Sequence, residues 1–123
     1  MKRVLFDTDV LIDLLRGKPS TFDQVSEIIF GNRLCCSVIT VAEIYAGMFP
    51  QEKDPTDQLL DALEAFPVSI SIAQQAGSLR SQYPGRELMD CLIAATALQH
   101  HAQLVTKNVK HYPMKELMVI SIR

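Results

Sequence analysis

The chain has no CxxC pair and no spaced set of cysteines and histidines, and its cysteines, Cys35, Cys36 and Cys91, are odd in number. Those absences exclude zinc fingers and oxidised frameworks, and leave the three as small apolar residues of the core. Also missing is any apolar run near the roughly 20 residues that cross a bilayer. The short run after Lys2 and Arg3 is broken by Asp7, Asp9 and Asp13, so it does not read as a signal peptide. The expectation is a cytoplasmic protein with no membrane partner. An excess of charge is lacking too, since 12 Lys and Arg face 14 Asp and Glu. No global positive field advertises nucleic acid. An acidic centre around a cation, with peripheral bases such as Arg16, Lys18, Arg86, Lys107 and Lys110, keeps a phosphate ligand open, although each of those bases also fits an ordinary solvated surface. Neither a G-x-x-x-x-G-K-[ST] loop nor a G-x-G-x-x-G turn occurs, which removes the common nucleotide-binding designs. There are no repeats and no low-complexity tracts.

What is present is a 48% hydrophobic content in 123 residues, enough for one domain over residues 1–123 with a real core and too little for two. The organising stretch is the opening. Val4-Leu5-Phe6 stops abruptly at Asp7, and a helical pattern with Val10, Leu11, Leu14 and Leu15 on one face begins at once. A buried strand thus feeds a helix with an acid at the junction, where open parallel sheets place their ligands.

Further along, Arg16-Gly17-Lys18-Pro19 is a stop and a turn, and Ser20 or Thr21 is the expected cap of a second helix carrying Phe22, Val25, Ile28 and Ile29. Leu34 to Ile39 reads as a second buried strand. Thr40 then precedes Glu43 at capping-box spacing, so Glu43 has two readings, a cap folded onto its own helix or a second functional acid. A proline-punctuated loop over 50–55 leads to a helix over 56–65, an edge strand at Pro67-Val68-Ser69-Ile70, and a helix over 72–82 capped by Ser71. Leu88 to Leu98 is apolar nearly all round, which predicts a central helix. Asp90 falls in its first turn, where the helix dipole favours an acid, but its apolar neighbours make an unpaired charge costly. Leu104-Val105-Thr106 and Leu117 to Ile120 supply the last two strands. Strands alternating with helices imply an α/β fold, a five-stranded mainly parallel sheet with helices on both faces.

Three acids, Asp7, Glu43 and Asp90, drawn together without basic partners would repel one another unless a cation joins them. All-oxygen ligation favours Mg²⁺ or Mn²⁺, which accept phosphate oxygens, and the matching chemistry is metal-assisted phosphodiester hydrolysis. No nucleophilic Ser/His pair competes with that scheme. Asp9 and Asp13 read as helix-start and exposed acids outside the ligand set. His100, His101 and His111 read as surface or packing residues, and Tyr45 as core or lining.

The segments Asp7-Thr8-Asp9-Val10-Leu11-Ile12-Asp13, Thr40-Val41-Ala42-Glu43-Ile44 with Gly47, Asp90-Cys91-Leu92-Ile93-Ala94-Ala95-Thr96-Ala97 and Thr106-Lys107-Asn108-Val109-Lys110-His111-Tyr112 together resemble the PIN domain family, in particular the type II toxin ribonucleases of the VapC kind. The resemblance covers essentially the whole chain. It implies a Mg²⁺- or Mn²⁺-dependent endoribonuclease acting on RNA, commonly a homodimer and held inactive by a small antitoxin. On that pattern Asp7, Glu43 and Asp90 match the metal-binding catalytic acids, and Thr106 matches a hydroxyl residue supporting the first acid. The fourth acid of many relatives is absent, with Asn108 and His111 as the candidates in its place, which puts two-metal chemistry in doubt. Two other readings compete. One is a PIN fold used for binding, scaffolding or housekeeping RNA processing. The other is a haloacid-dehalogenase-like phosphatase, on the Asp7-Thr8-Asp9-Val10 start, with Asp7 as nucleophile and Asp9 as acid/base; that pattern also needs a paired late acid motif, and Asp90 has no neighbouring acid.

Overall fold

Val4, Leu5 and Phe6 are buried in the first strand, β1 (Arg3–Phe6), of the computed structural model, which describes residues 1–123. Their alternation decides the layering. Leu5 faces one apolar cluster and Val4 and Phe6 face the other, as the two-residue period of a strand requires. β2 (Arg33–Ser37) repeats this with Cys35 on one side and Cys36 on the other. All three cysteines are buried and unpaired, as expected of small apolar residues.

Helices cover both faces. On the Val4 and Phe6 side lie α1 (Thr8–Leu15), α2 (Pro19–Ile29) and α3 (Val38–Gly47), contributing Val10, Leu11, Val25 and Ile44. α4 (Lys53–Asp61) leans on the same cluster through Leu59 and Leu60. On the Leu5 side, α5 (Ile70–Gln82) packs Ile72, Ala76 and Leu79 against α6 (Leu88–Gln99). Six of the twelve residues of α6 are buried, four of them from Cys91 to Ala95 and on to Thr96 and Ala97, which confirms the central helix. No helix is long and apolar enough to cross a membrane.

The sheet is completed by β3 (Glu64–Phe66), β4 (Ala102–Thr106) and β5 (Val119–Ser121), in the order β3-β2-β1-β4-β5 with every pairing parallel. The chain builds outward from β1 through β2 to β3, then returns to lay β4 on the other flank of β1. Connections therefore leave β1 and β4 in opposite directions, and a crevice opens beyond their carboxyl ends. This is the α/β domain expected, with a wholly parallel sheet.

Local boundaries differ from expectation in instructive ways. Lys18 precedes α2, with Pro19 at its first position, so neither Ser20 nor Thr21 is the cap. The β2 segment ends at Ser37 because the Ser37 hydroxyl accepts from the Ile39 N–H, turning Val38 and Ile39 into helix. The expected helix over 56–65 starts and ends earlier, as α4, and the edge strand is Glu64–Phe66 rather than 67–70. Pairing with Cys35 to Ser37 selects Glu64 to Phe66, while Ser69, not Ser71, caps α5 by accepting from the Ile72 N–H. Ile70 is 80% exposed, so its apolar character misled the reading.

Candidate active site

β1 delivers Asp7 to the crevice because its own N–H continues the ladder, donating to the Val105 carbonyl at 2.9 Å. The same residue caps α1, its Oδ1 accepting from the Thr8 N–H at 2.9 Å. Its other oxygen accepts from the Thr106 hydroxyl at 2.8 Å, and that hydroxyl in turn accepts from the Asn108 N–H at 2.9 Å. Asp7 is 7% exposed and Thr106 fully buried, so the carboxylate is fixed between two neighbouring strands. Thr106 thus touches the first acid directly.

Glu43 does not take its capping reading. α3 begins at Val38 under the Ser37 cap, which places Thr40 inside the helix, fully buried, and leaves no capping box. The Glu43 carboxylate instead reaches across to α1, where Oε1 accepts from the Thr8 hydroxyl at 2.6 Å. The Thr8 hydroxyl also lies 3.1 Å from that of Thr40.

Asp90 sits in the first turn of α6. Its Oδ1 accepts from the Tyr112 hydroxyl at 3.3 Å, and its Oδ2 lies 3.4 Å from Nδ1 of His111. Burial holds the Asp90 carboxyl above the ordinary carboxylate range; His111 and Tyr112 oppose the rise, and the charges of Asp7 and Glu87 reinforce it. Burial, with Asp7 and Asp90 beside it, pushes the Tyr112 phenol far up, so this 3%-exposed hydroxyl remains a donor.

The three acids share one cleft of about 140 Å³ lined by Asp7, Thr8, Asp9, Glu43, Glu87, Asp90, Asn108 and His111. Five of the eight are acids and none is Lys or Arg. All three sequence-chosen acids are present, from three different helices or helix starts, and so is Asn108, whose amide donates to Asp9 Oδ2 at 2.9 Å. The amino ends of α1 and α6 both point at the cleft, and their partial positive charge favours anions there. Donor chemistry fits a hard divalent cation, with carboxylate and amide oxygens and no thiol. The side chains do not form a closed cage, since no three His, Cys, Asp or Glu groups converge as a ready-made ligand set. Glu43 is turned to Thr8, and Asp90 to Tyr112 and His111.

The sequence reading missed Asp9, Thr8, Glu87 and Tyr112 as parts of this region. The two-residue spacing from Asp7 to Asp9 was a usable signal for the second acid; nothing local marked Tyr112. Asp13 requires correction. It is not an exposed acid: its Oδ2 accepts from the Thr21 hydroxyl at 2.9 Å and lies 2.5 Å from Lys107 Nζ and 3.8 Å from Lys18 Nζ. Burial works to raise its carboxyl, but the bonds from Lys107 and Thr21 and the two lysine charges outweigh it and hold it below the usual value. Lys107 and Lys18 are thereby committed within the protein. Arg16 pairs with Glu52 at 3.6 Å, and Arg86 donates to the Lys110 carbonyl at 2.9 Å. None of the five candidate phosphate grips lines the cleft. His100 packs flat on Phe66, His101 is exposed, and Tyr45 is a surface residue bonded to Asp57.

The model of the PIN domain matches residues 4–116 of the chain. A protein of Mycobacterium tuberculosis named ribonuclease VapC10 is 37% identical over 117 residues, spanning 92% of this chain and 88% of its own. Ribonuclease VapC19 of the same organism is 35% identical over 115 residues, 89% and 92% of the two chains. Among solved structures, a toxin-antitoxin complex from Klebsiella pneumoniae contains a chain with a TM-score of 0.83 at 28% identity, covering 96% of each. VapBC2 of Rickettsia felis, bound to a promoter DNA fragment, has the same TM-score at 23% identity and speaks to the fold. With five acids in one cleft beyond the carboxyl ends of β1 and β4, and with a match over nearly its whole length, the chain belongs to the PIN domain family and sides with the VapC members of it.

Proposed function

We propose that the chain is a Mg²⁺- or Mn²⁺-dependent endoribonuclease, the toxin of a type II toxin–antitoxin pair, acting in the cytoplasm. The observation that carries this reading is the cleft at the switch point, where Asp7, Glu43 and Asp90 gather with two further acids and no Lys or Arg. An arrangement of that kind costs stability through repulsion and is unsuited to holding RNA unaided. A divalent cation bound there by Asp7, Glu43 and Asp90 would reverse the local sign, activate water and offset charge on the attacked phosphate. The relatives named ribonuclease support nuclease chemistry on this fold.

The protein's own groups have defined tasks. Thr106 and the Thr8 N–H fix the two oxygens of Asp7, so that its carboxylate is oriented before any ligand arrives. Tyr112 holds Asp90 from the buried side, leaving the other face of that carboxylate toward the cleft. Asn108 ties the loop after β4 to Asp9, and His111, 3.4 Å from Asp90 Oδ2, stands where a ring N–H can donate a hydrogen bond to a phosphate oxygen. With Asn108 in place of an anion, the donor set is one charge short of four acids at that position, which favours one bound cation over two.

The relatives solved as toxin–antitoxin complexes support a small antitoxin as partner. Its seat on this chain is the apolar ground between α1 and α4, where Leu14, Leu15, Pro55 and Leu59 line an open groove of about 300 Å³ and Ile12, Ile44 and Met48 continue it. An apolar antitoxin helix lying there could place an Arg among the acids. A homodimer is part of the same reading.

The deciding experiment is cleavage of a fluorescent RNA by the purified chain with EDTA, Mg²⁺ or Mn²⁺. Cleavage that needs the metal and disappears in Asp7→Asn and Asp90→Asn supports the reading. Metal binding without cleavage of any RNA would favour a PIN-fold binding module, the reading that the missing fourth acid lends some weight. A small open reading frame beside the gene, whose product co-purifies with the chain and blocks cleavage, is the expected result for the antitoxin.

A further inference from the structure

The end of the sheet opposite the acidic cleft carries the reverse charge. There the amino ends of β1, β2 and β4 open onto a pocket of about 400 Å³, lined among others by Lys2, Arg3, Arg33, His100, His101 and Met118 and by no Asp or Glu. Strand register builds it. Arg3 is paired with Arg33 of β2 on one flank and with Ala102 of β4 on the other. Register partners share a face, here the one that continues into Leu5, Cys35 and Leu104. Two arginine side chains therefore leave the sheet side by side, with only a methyl group next to them on the β4 flank. Like charges on neighbouring strands repel.

The protein answers that repulsion only in part. One nitrogen of Arg3 donates to the His100 carbonyl at the end of α6 at 3.1 Å, and its guanidinium lies 5.7 Å from the Phe66 ring centroid. The His100 ring is stacked on the other aromatic, 3.6 Å from Phe66, and burial together with the Arg3 charge holds it below the ordinary histidine value. Neither Lys2, Arg3 nor Arg33 enters an ion pair with any carboxylate. In a chain whose formal charge is -2, three cations are thus held together around a concave surface that no carboxylate lines, with the charge of Glu64 on β3 reaching His100 but pairing with none of the three.

We propose that this pocket binds the phosphate of a nucleotide. Adjacent guanidiniums with a lysine suit a phosphate group, which accepts several charge-assisted hydrogen bonds at once. The volume falls in the range of about 300 to 1,000 Å³ usual for small-molecule sites and is too large for phosphate alone. Met118, 61% exposed, and the imidazoles of His100 and His101 supply a polarisable wall for a base. The nucleotide is either a free 5′-mononucleotide or the phosphorylated end of an RNA strand, since both present the same group. β1 separates Arg3 from Asp7 by about 13 Å with the covered sheet between them, so this ligand does not occupy the acidic cleft.

The test is calorimetric titration of the full chain in EDTA and low salt, so that nothing is cleaved, with AMP, adenosine, inorganic phosphate and a 5′-phosphorylated hexanucleotide RNA. AMP is expected to bind saturably, adenosine not to bind, and inorganic phosphate to bind more weakly than AMP. Arg33→Glu, an exposed position, should weaken AMP about tenfold or more, and Lys2→Ala less. Asp90→Asn should leave AMP binding unchanged. Tighter binding of the RNA than of AMP, with the same dependence on Arg33, identifies the strand end as the source; the reverse order identifies the free nucleotide. Absence of saturable AMP binding, equal binding of phosphate and AMP, or an AMP affinity indifferent to Arg33→Glu overturns the assignment.

Discussion

Asp13 and Asp90 are carboxylates of nearly equal side-chain exposure, 19% and 20%, yet their acidities move in opposite directions. Burial raises both and is the largest cause at Asp90, whereas at Asp13 the partners together outweigh it. Asp13 has two lysines and a threonine hydroxyl on its oxygens, and its charge is settled within the fold. Asp90 has a phenol, an imidazole and two further acids, and its charge is left unsettled. One acid ties α1 to α2 and to the loop after β4. The other is kept at a cost that its neighbours do not offset, which agrees with the proposal that it holds a cation.

The contrast breaks most visibly in activity. Asp90→Asn or Asp7→Asn should reduce the initial rate of Mn²⁺-dependent RNA cleavage on the order of 10²-fold or more, whereas Asp13→Asn should change it less than about tenfold. Equal losses at Asp13 and Asp90 would show that the two acids do not differ in kind. Thr106→Val comes next in size. It removes the donor to Asp7 Oδ2 without altering the charge of the site, and a fall of roughly 10- to 100-fold in rate is expected, with weaker Mn²⁺ binding in the same titration. An unchanged metal affinity in that variant would deny Thr106 its orienting role.

In stability the order is reversed. Asp13→Asn removes the counter-charge of Lys107 and Lys18 while its amide oxygen can still accept from Thr21, and a loss of about 1 to 3 kcal/mol is expected, a fall in Tm of some 3 to 8 °C or more. Asp90→Asn removes repulsion and should raise the Tm of the metal-free protein by less than about 1 kcal/mol equivalent. The pH dependence separates the two further. A carboxyl held below its unfolded value of 3.8 gives stability that is complete above that pH and lost as acid titrates the folded form, so Asp13→Asn should flatten the acid limb. A carboxyl held above 3.8 gives stability that is complete below that pH and lost as the pH rises through the folded value, so Asp90→Asn should remove that decline. Urea midpoints measured in EDTA between pH 3 and 7 read both effects. Parallel profiles for the two variants would contradict the opposed shifts.

The same contrast explains how much was legible in the sequence. Asp7 and Asp90 stood out because each interrupts an apolar segment, and burial of an acid is a conflict visible in one dimension. Strand and helix alternation likewise announced the parallel sheet, since period 2 and period 3.6 are local properties. Glu43 was ambiguous because Thr40 sits three residues before it; only Thr8, 35 residues earlier, decides where the carboxylate turns. Asp13 was misread for a related reason. Its exposed-looking position on α1 is covered by Lys107, 94 residues away, and no local pattern carries that information. The boundary near β3 failed because pairing with β2, a property of the sheet, outweighs the apolar run at Val68 and Ile70.

The smallest expected effect on the cleavage rate lies in the pair that makes Asp13 what it is. Lys107 Nζ meets Asp13 Oδ2 at 2.5 Å with 22% and 19% of the two side chains exposed, and the Asp13 carboxylate in turn raises the lysine. Lys18 and Thr21 remain on the same oxygen when Lys107 is removed, so Lys107→Met should cost less than Asp13→Asn. A double-mutant cycle over Asp13→Asn and Lys107→Met should give a coupling of about 0.5 to 1.5 kcal/mol, because half-buried pairs with shared partners interact more than exposed ones and less than isolated buried ones. Lys107 is next to Asn108, whose N–H holds Thr106 and whose amide holds Asp9. If the pair anchors that loop, Lys107→Met should lower the cleavage rate a few-fold, about 2- to 5-fold, with Mn²⁺ affinity reduced in step. A coupling near zero would instead make Asp13 a partner of Lys18 and Thr21 alone, and the loop after β4 would owe its place to Thr106 and Asp9.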